Sequence, residues 1–242
     1  MAKVRKIDNA LQKKFAYKSN KKKANRDIRV YFLIVCEGEK TDPNYFNSFP
    51  KQIGNIILDV KCDGGGINTL KVVEKAIDLK DKSMKDKSVQ KYDRVWAVFD
   101  KDSFKSNAFN NAILMAKSHN IGCAWSNEAF ELWYLLHFHN RVTAMSRDEY
   151  KRAIEKAIND QIKNKKQLFR YAKNAPDMYA TLDKYGNQEQ AIKWAKSLVT
   201  NFDNEKFAEH NPCTYVFKLV EELIGKSDEL NEEITKKYNK GE

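Results

Sequence analysis

The first apolar stretch, Val30-Tyr-Phe-Leu-Ile-Val-Cys36, carries no charge, which predicts a strand buried on both faces and so a central parallel sheet. Glu37-Gly-Glu-Lys-Thr-Asp-Pro43 ends it. Thr41 or Asp42 can cap a helix that opens at Pro43 and turns Tyr45, Phe46 and Phe49 inward. Ile56-Ile-Leu-Asp-Val-Lys-Cys62 is a second predicted strand and Gly64-Gly-Gly66 a loop. Ile67 to Lys82 follows as a helix with Leu70, Val73, Ala76 and Ile77 on one face. Arg94-Val-Trp-Ala-Val-Phe99 gives a third strand, stopping at Asp100-Lys-Asp-Ser103, then a helix over 107–119. Gly122-Cys-Ala-Trp125 is a short fourth strand before a helix over 127–138. This alternation predicts an α/β fold, a parallel sheet with helices on both sides, whose ligand site lies beyond the carboxyl ends of the strands. From Ser146 onward strand patterns disappear, and helices are predicted near 147–160, 165–173, 178–184, 187–203 and 213–225. The organisation expected is a basic arm over 1–29, an α/β catalytic domain over 30–140, a helical cap over 141–228 and a charged tail over 229–242.

Three acidic groups fall just after predicted strand ends: Glu37 with Glu39, Asp100 with Asp102, and Glu128 with Glu131. Clustered carboxylates repel one another unless a proton or a cation neutralises them, and hard cations such as Mg²⁺ or Mn²⁺ take several oxygen ligands. The pattern therefore points to a metal site made by Glu37, Asp100, Asp102 and an acidic residue of the last turn. Glu131 is favoured there, because Ser126-Asn127 reads as a helix cap and Glu128 as a complement to the helix N-terminus. Competing readings attach to the neighbours: Glu39 and Lys40 as exposed loop charges, Asp42 and Asp102 as helix caps, His137 as a packed or exposed histidine. Trp133, Tyr134, Leu135, Leu136 and Phe138 read as packing residues rather than a base-stacking platform. The glycine triplet lacks the Lys-Ser/Thr ending of a phosphate-binding P-loop.

Charge sharpens this picture. Residues 1–29 hold eleven Lys or Arg against Asp8 and Asp27, so nine of the eleven net positive charges sit in the arm. Lys21, Lys22 and Lys23 within it, and Lys40, Lys163, Lys165, Lys166 and Arg170 further on, are candidate contacts to a nucleic-acid backbone; a solvated, solubilising tail is the competing reading of the arm. No stretch approaches the roughly 20 apolar residues that cross a bilayer, and no apolar signal-peptide core opens the chain, so a cytoplasmic location without membrane contact is expected. Cys36, Cys62, Cys123 and Cys213 are scattered, with no C-x-x-C pair, and read as reduced thiols rather than zinc ligands.

Four motifs, Leu33-Ile-Val-Cys-Glu-Gly-Glu-Lys-Thr41, Phe99-Asp-Lys-Asp102, Ser126-Asn-Glu-Ala-Phe-Glu-Leu-Trp-Tyr-Leu-Leu-His-Phe138 and Asn211-Pro-Cys-Thr-Tyr-Val216, closely resemble the RloB-like family. The resemblance covers the chain from about residue 25 to 225. The first two motifs are also similar to the wider Toprim superfamily, the catalytic fold of topoisomerases, primases and OLD nucleases. By that resemblance Glu37 stands where Toprim proteins have their glutamate, and Asp100 and Asp102 stand as the metal-binding Asp-x-Asp. Family membership further implies an anti-phage role in bacteria or archaea beside an ABC-type or AAA-type ATPase encoded nearby. The chain departs from the family pattern at Asp42, where Glu is common, at Ser103, where an acid is common, and at Glu128-Ala129, where Pro-Cys is common.

The expectation is a Toprim-like nuclease that hydrolyses DNA or an RNA such as tRNA with Mg²⁺ or Mn²⁺. Glu37 would serve as ligand or general acid/base, Asp100 and Asp102 as ligands, and Glu131 as ligand or orienter of the attacking water. Two other readings remain: a non-catalytic effector that binds nucleic acid or the ATPase, and a HAD-like phosphatase with Asp100 as nucleophile and Asp102 as acid.

Overall fold

The computed structural model of the chain describes residues 27–65, 68–102, 104–164 and 168–239. Strands β1 (Ile28–Cys36), β3 (Ile56–Gly64), β4 (Arg94–Asp100) and β5 (Gly122–Asn127) are parallel, and the sheet order is β2-β3-β1-β4-β5-β6. Its two edges are additions that the alternation did not foretell. β2 (Gln52–Ile53) lies antiparallel on β3, and β6 (Cys213–Thr214) antiparallel on β5, so the sheet is mixed. Two-residue strands show no alternation to detect. β6 also corrects the expectation of an all-helical second half.

β1 is central, which explains its uncharged run. Val30, Phe32, Ile34 and Cys36 enter one hydrophobic core while Leu33 and Val35 enter the other, on the opposite face. β4 divides likewise, with Trp96 and Val98 on the first face and Val95, Ala97 and Phe99 on the second. Each Val, Leu, Ile or Phe among them contributes about 1.5–3 kcal/mol when fully buried.

The second face is covered by α2 (Thr69–Lys85), through Val72, Val73 and Ala76, and by α3 (Ser106–Ser118), through Phe109, Ala112, Ile113 and Ala116. Asn68 caps α2, its side chain accepting from Lys71 N at 3.1 Å. The first face is covered by α1 (Thr41–Asn47), α4 (Glu131–Leu135), α5 (Arg147–Gln161), α6 (Met178–Tyr185), α7 (Gln188–Val199), α8 (Val216–Leu223) and α9 (Asp228–Asn239).

Three expectations change here. The helix predicted over 127–138 is only Glu131–Leu135, because β5 runs on to Asn127 and pairs with β6. Ser126 and Asn127 are accordingly sheet residues rather than a cap: Ser126 Oγ lies 2.9 Å from Thr214 Oγ1, and Asn127 Nδ2 donates to Ala208 O at 3.1 Å. The helix predicted over 165–173 is absent from its described part, 168–173. Instead, Asn159 clasps both backbone groups of Phe169 at 2.7 and 3.0 Å and Glu155 accepts from Tyr171 N at 3.1 Å, so α5 satisfies polar groups that a helix would have paired internally. Finally, the segment read as a charged tail forms α9, with Leu230 and Ile234 buried.

α9 is tied to the sheet by charge as well. Arg94 of β4 reaches Glu222 of α8 at 3.3 Å and Glu233 of α9 at 3.0 Å, while Trp96 Nε1 donates to Glu222 at 2.8 Å. Among the described residues no helix is long and apolar enough to cross a membrane.

Candidate active site

A cleft of about 630 Å³ opens beyond the carboxyl ends of β1, β4 and β5, where an α/β sheet places its ligands. Glu37 is the first residue after β1. Its backbone N–H donates to Val98 O at 2.9 Å, and its carboxylate accepts from the Asp100 backbone N–H at 3.3 Å, so the two acidic loops are locked to each other. The Glu37 loop lies directly on the end of β3. A Cβ at Gly64 would stand 2.5 Å from Gly38 O and 2.9 Å from Glu39 O, so only glycine fits.

The Asp100–Asp102 loop is pinned to β5 by Lys101 N donating to Ser126 O at 2.8 Å and Asp102 N donating to Glu128 O at 3.1 Å. Asp102 has a φ of +38°, a left-handed conformation that aspartate tolerates better than most residues. α1 adds Asp42 in its first turn, and α4 adds Glu131 as its first residue; both are buried, Glu131 to 3% exposure. Glu37, Asp42, Asp100, Asp102 and Glu131 thus line one cleft, with Glu39 at its exposed rim. Glu128 is half-buried and does not line it.

The helical half supplies residues that the sequence did not point to. Arg147, at the start of α5, places Nη2 3.0 Å from Asp100 Oδ2 and Nη1 3.1 Å from Asp102 Oδ2, with Nε 3.9 Å from Glu131 Oε2. Tyr171 donates its hydroxyl to Glu131 Oε1 at 3.0 Å. Lys173 and Asn174 line the cleft as well, and Thr41 Oγ1 donates to Lys173 O at 2.6 Å, which holds that strap against α1. The Ser146-x-x-Glu149 capping box fixes where α5 begins. It says nothing of what Arg147 will meet, some 45 residues beyond Asp102 in sequence.

The carboxylates bear the marks of crowding. Burial, opposed by the Asp100 N–H bond but reinforced by Asp42 and Asp102, raises Glu37 to about 7. Burial and the facing Glu131 raise Asp42 to about 7 as well. Asp100 is pushed far above the usual carboxylate range by burial, Asp42 and Glu131, with Arg147 working the other way. Burial opposes the charge on Arg147, yet Asp100, Glu131 and Asp102 together hold it protonated above its ordinary value. With the exposed rim included, six carboxylates stand against three cations, Lys40, Arg147 and Lys173.

This donor set, all oxygen and strongly acidic, fits Mg²⁺ or Mn²⁺ in its chemistry. As placed, no three described His, Cys, Asp or Glu side chains converge closely enough to hold an ion. Arg147 stands between Asp100, Asp102 and Glu131 instead.

A family model described as RloB-like protein matches residues 32–223, most of the chain and all of this cleft. The chain belongs to the RloB-like family. Comparison with curated proteins and with solved structures gives no match.

The other expected contacts in this RloB-like protein divide between the cleft rim and positions away from it. Lys40 is exposed on its rim, whereas Arg170 is 87% exposed beside Glu155 at 3.7 Å and does not line it. Lys21, Lys22, Lys23, Lys165, Lys166 and Ser103 fall outside the described residues. His137 is buried, its Nδ1 3.0 Å from Trp133 O, and burial lowers it to about 4, so it is a neutral packing residue. Trp133, Tyr134, Leu135 and Leu136 are core; Trp133 Nε1 donates to Tyr45 OH at 2.7 Å. The four cysteines are free.

Proposed function

We propose that this RloB-like protein is a divalent-metal-dependent nuclease, a Toprim-like phosphodiesterase acting on DNA or RNA in anti-phage defence beside a partner ATPase. The observation that supports it most is the convergence of Glu37, Asp42, Asp100, Asp102 and Glu131 on one cleft with too few cations to balance them. Asp100, Asp102 and Glu131 would hold Mg²⁺ or Mn²⁺, which when bound would polarise a phosphate and ease ionisation of a water. Glu37 would serve either as a further ligand or, its carboxyl standing at about 7 in the metal-free cleft, as a general acid/base near neutral pH. Tyr171 orients Glu131 through its hydroxyl. Lys40, Lys173 and the amide of Asn174, at the cleft, would hold the phosphate backbone. The HAD-like alternative uses Asp100 and Asp102 alone and leaves the other three carboxylates of the cleft without a task.

The test compares wild type with an Asp100→Asn/Asp102→Asn variant on DNA and total tRNA in Mn²⁺ or Mg²⁺ at low salt, with and without the ATPase. Cleavage by wild type alone is the expected result and names the substrate. Absence of cleavage in every condition, with nucleic-acid binding retained, refutes the nuclease and favours the non-catalytic effector.

A further inference from the structure

Arg147 is a cation where a helix least favours one. It is the first residue of α5, and the helix dipole places partial positive charge there. Its neighbours Asp148 and Glu149 complement that end, as first-turn acids do. Arg147 is therefore held in place by the cleft rather than by its own helix.

Its contacts are strong but incomplete. The two guanidinium nitrogens reach two different carboxylates, Asp100 at 3.0 Å and Asp102 at 3.1 Å, and not the two oxygens of one, which is the arrangement that suits arginine best. Nε is buried without a hydrogen-bond partner, Glu131 Oε2 standing 3.9 Å away. The side chain is still 26% exposed, so its way to solvent is open. The helix behind it is fixed by Tyr150, Ile154, Ala157 and Ile158, all buried, so the mobile part is the side chain alone.

We propose that Arg147 is a built-in, displaceable counter-ion, which holds Asp100, Asp102 and Glu131 when no divalent cation is bound and leaves them when one binds. The inference rests on the reading of the cleft as a divalent-cation site. A monovalent guanidinium offsets one carboxylate charge; a divalent ion offsets two and draws the oxygens into one shell. Arg147 occupies Oδ2 of both Asp100 and Asp102, so an ion that draws these carboxylates into one shell competes with it for them. The displaced guanidinium then joins Lys40 and Lys173 at the cleft, where a phosphate would be met.

The experiment is calorimetric titration of the full chain with MnCl₂, for wild type, Arg147→Gln, Arg147→Lys and Asp100→Asn/Asp102→Asn, with thermal melts in EDTA and in Mn²⁺. Arg147→Gln is expected to bind Mn²⁺ about tenfold more tightly than wild type, a change of about 1.4 kcal/mol. Arg147→Lys, whose single ammonium cannot fork across two carboxylates, is expected to gain about threefold, and it carries the test if the Gln variant does not fold. In EDTA the Gln variant melts below wild type, and Mn²⁺ removes the difference, which a purely structural ion pair would not do. Mn²⁺ affinity that is unchanged or weaker in the Arg147 variants overturns the proposal while leaving the metal reading intact. Absence of Mn²⁺ binding in wild type and all Arg147 variants, or binding that survives Asp100→Asn/Asp102→Asn, overturns both.

Discussion

Asp42→Asn should make the metal-free protein more stable above neutral pH. Asp42 is 8% exposed and faces Glu131, and its carboxyl stands at about 7 against an ordinary 3.8. Well below the ordinary 3.8 the group is protonated in the folded and unfolded chain alike and contributes no pH dependence. As the pH rises towards 7 the unfolded chain releases this proton and the folded chain keeps it, so folding stability falls with pH, and the loss is complete above 7. Titrating alone across that interval, the group would cost roughly 4 kcal/mol, at 1.36 kcal/mol per pH unit. Glu131 shares the burden, so the single substitution should return about half, roughly 2 kcal/mol, at pH 8 and only about a few tenths at pH 4. Asn keeps an oxygen for the Gly38 N–H that bonds Asp42. Urea unfolding in EDTA at pH 4 and pH 8 measures the effect. If the variant were no more stable than wild type at pH 8, or if both gained stability between pH 4 and 8, the account of a charge-starved cleft would be wrong. Excess Mn²⁺ should narrow the difference, since a cation in the cleft favours the ionised Asp42 of the wild type.

The other expectations address separate parts of the molecule. Tyr171→Phe removes only the bond to Glu131 Oε1 and should cost about 1.5 kcal/mol in chemical unfolding; no loss would mean that water replaces the hydroxyl at no cost. Glu222→Leu strips Trp96 Nε1 of its acceptor and Arg94 of a partner, and should cost about 3 kcal/mol, whereas Glu222→Gln, which keeps the Trp96 bond, should cost less; equal losses would show that the tryptophan bond is irrelevant. Lys40→Ala/Lys173→Ala should weaken binding of an oligonucleotide and flatten the dependence of log K on log salt by about 1.8 for duplex DNA, measured by fluorescence anisotropy; an unaltered slope would place the backbone elsewhere.

Local pattern determined the part of this protein that local physics controls. A short uncharged run reads as a strand covered on both faces, so β1 was readable, and with it the position of Glu37 just past its end; its place between β3 and β4 was not. The same logic put Asp100 and Asp102 at the carboxyl end of β4, where Asp100 closes the strand and Asp102 follows it, and strand ends in a parallel sheet share one side, so these acids face the same crevice as Glu37. Glu131 was found for a partly mistaken reason. It lines the cleft as expected, but on a five-residue helix reached after β5 has paired with β6, not on a long helix capped by Ser126.

Tertiary structure alone decided the rest. The edge strands are two residues each and exist because a neighbouring strand offers its backbone groups. The strap over 168–174 reads as a helix in sequence; Asn159 and Glu155 of α5 hold it open instead, and only then do Tyr171, Lys173 and Asn174 arrive at the cleft. Arg147 is an ordinary first-turn residue in sequence, and becomes the counter-ion of Asp100 and Asp102 only when α5 packs beside α4. Periodicity reports which face of an element is buried, a short-range property. Charge compensation between segments 45 residues apart depends on where whole elements come to rest, and no spacing along the chain records that.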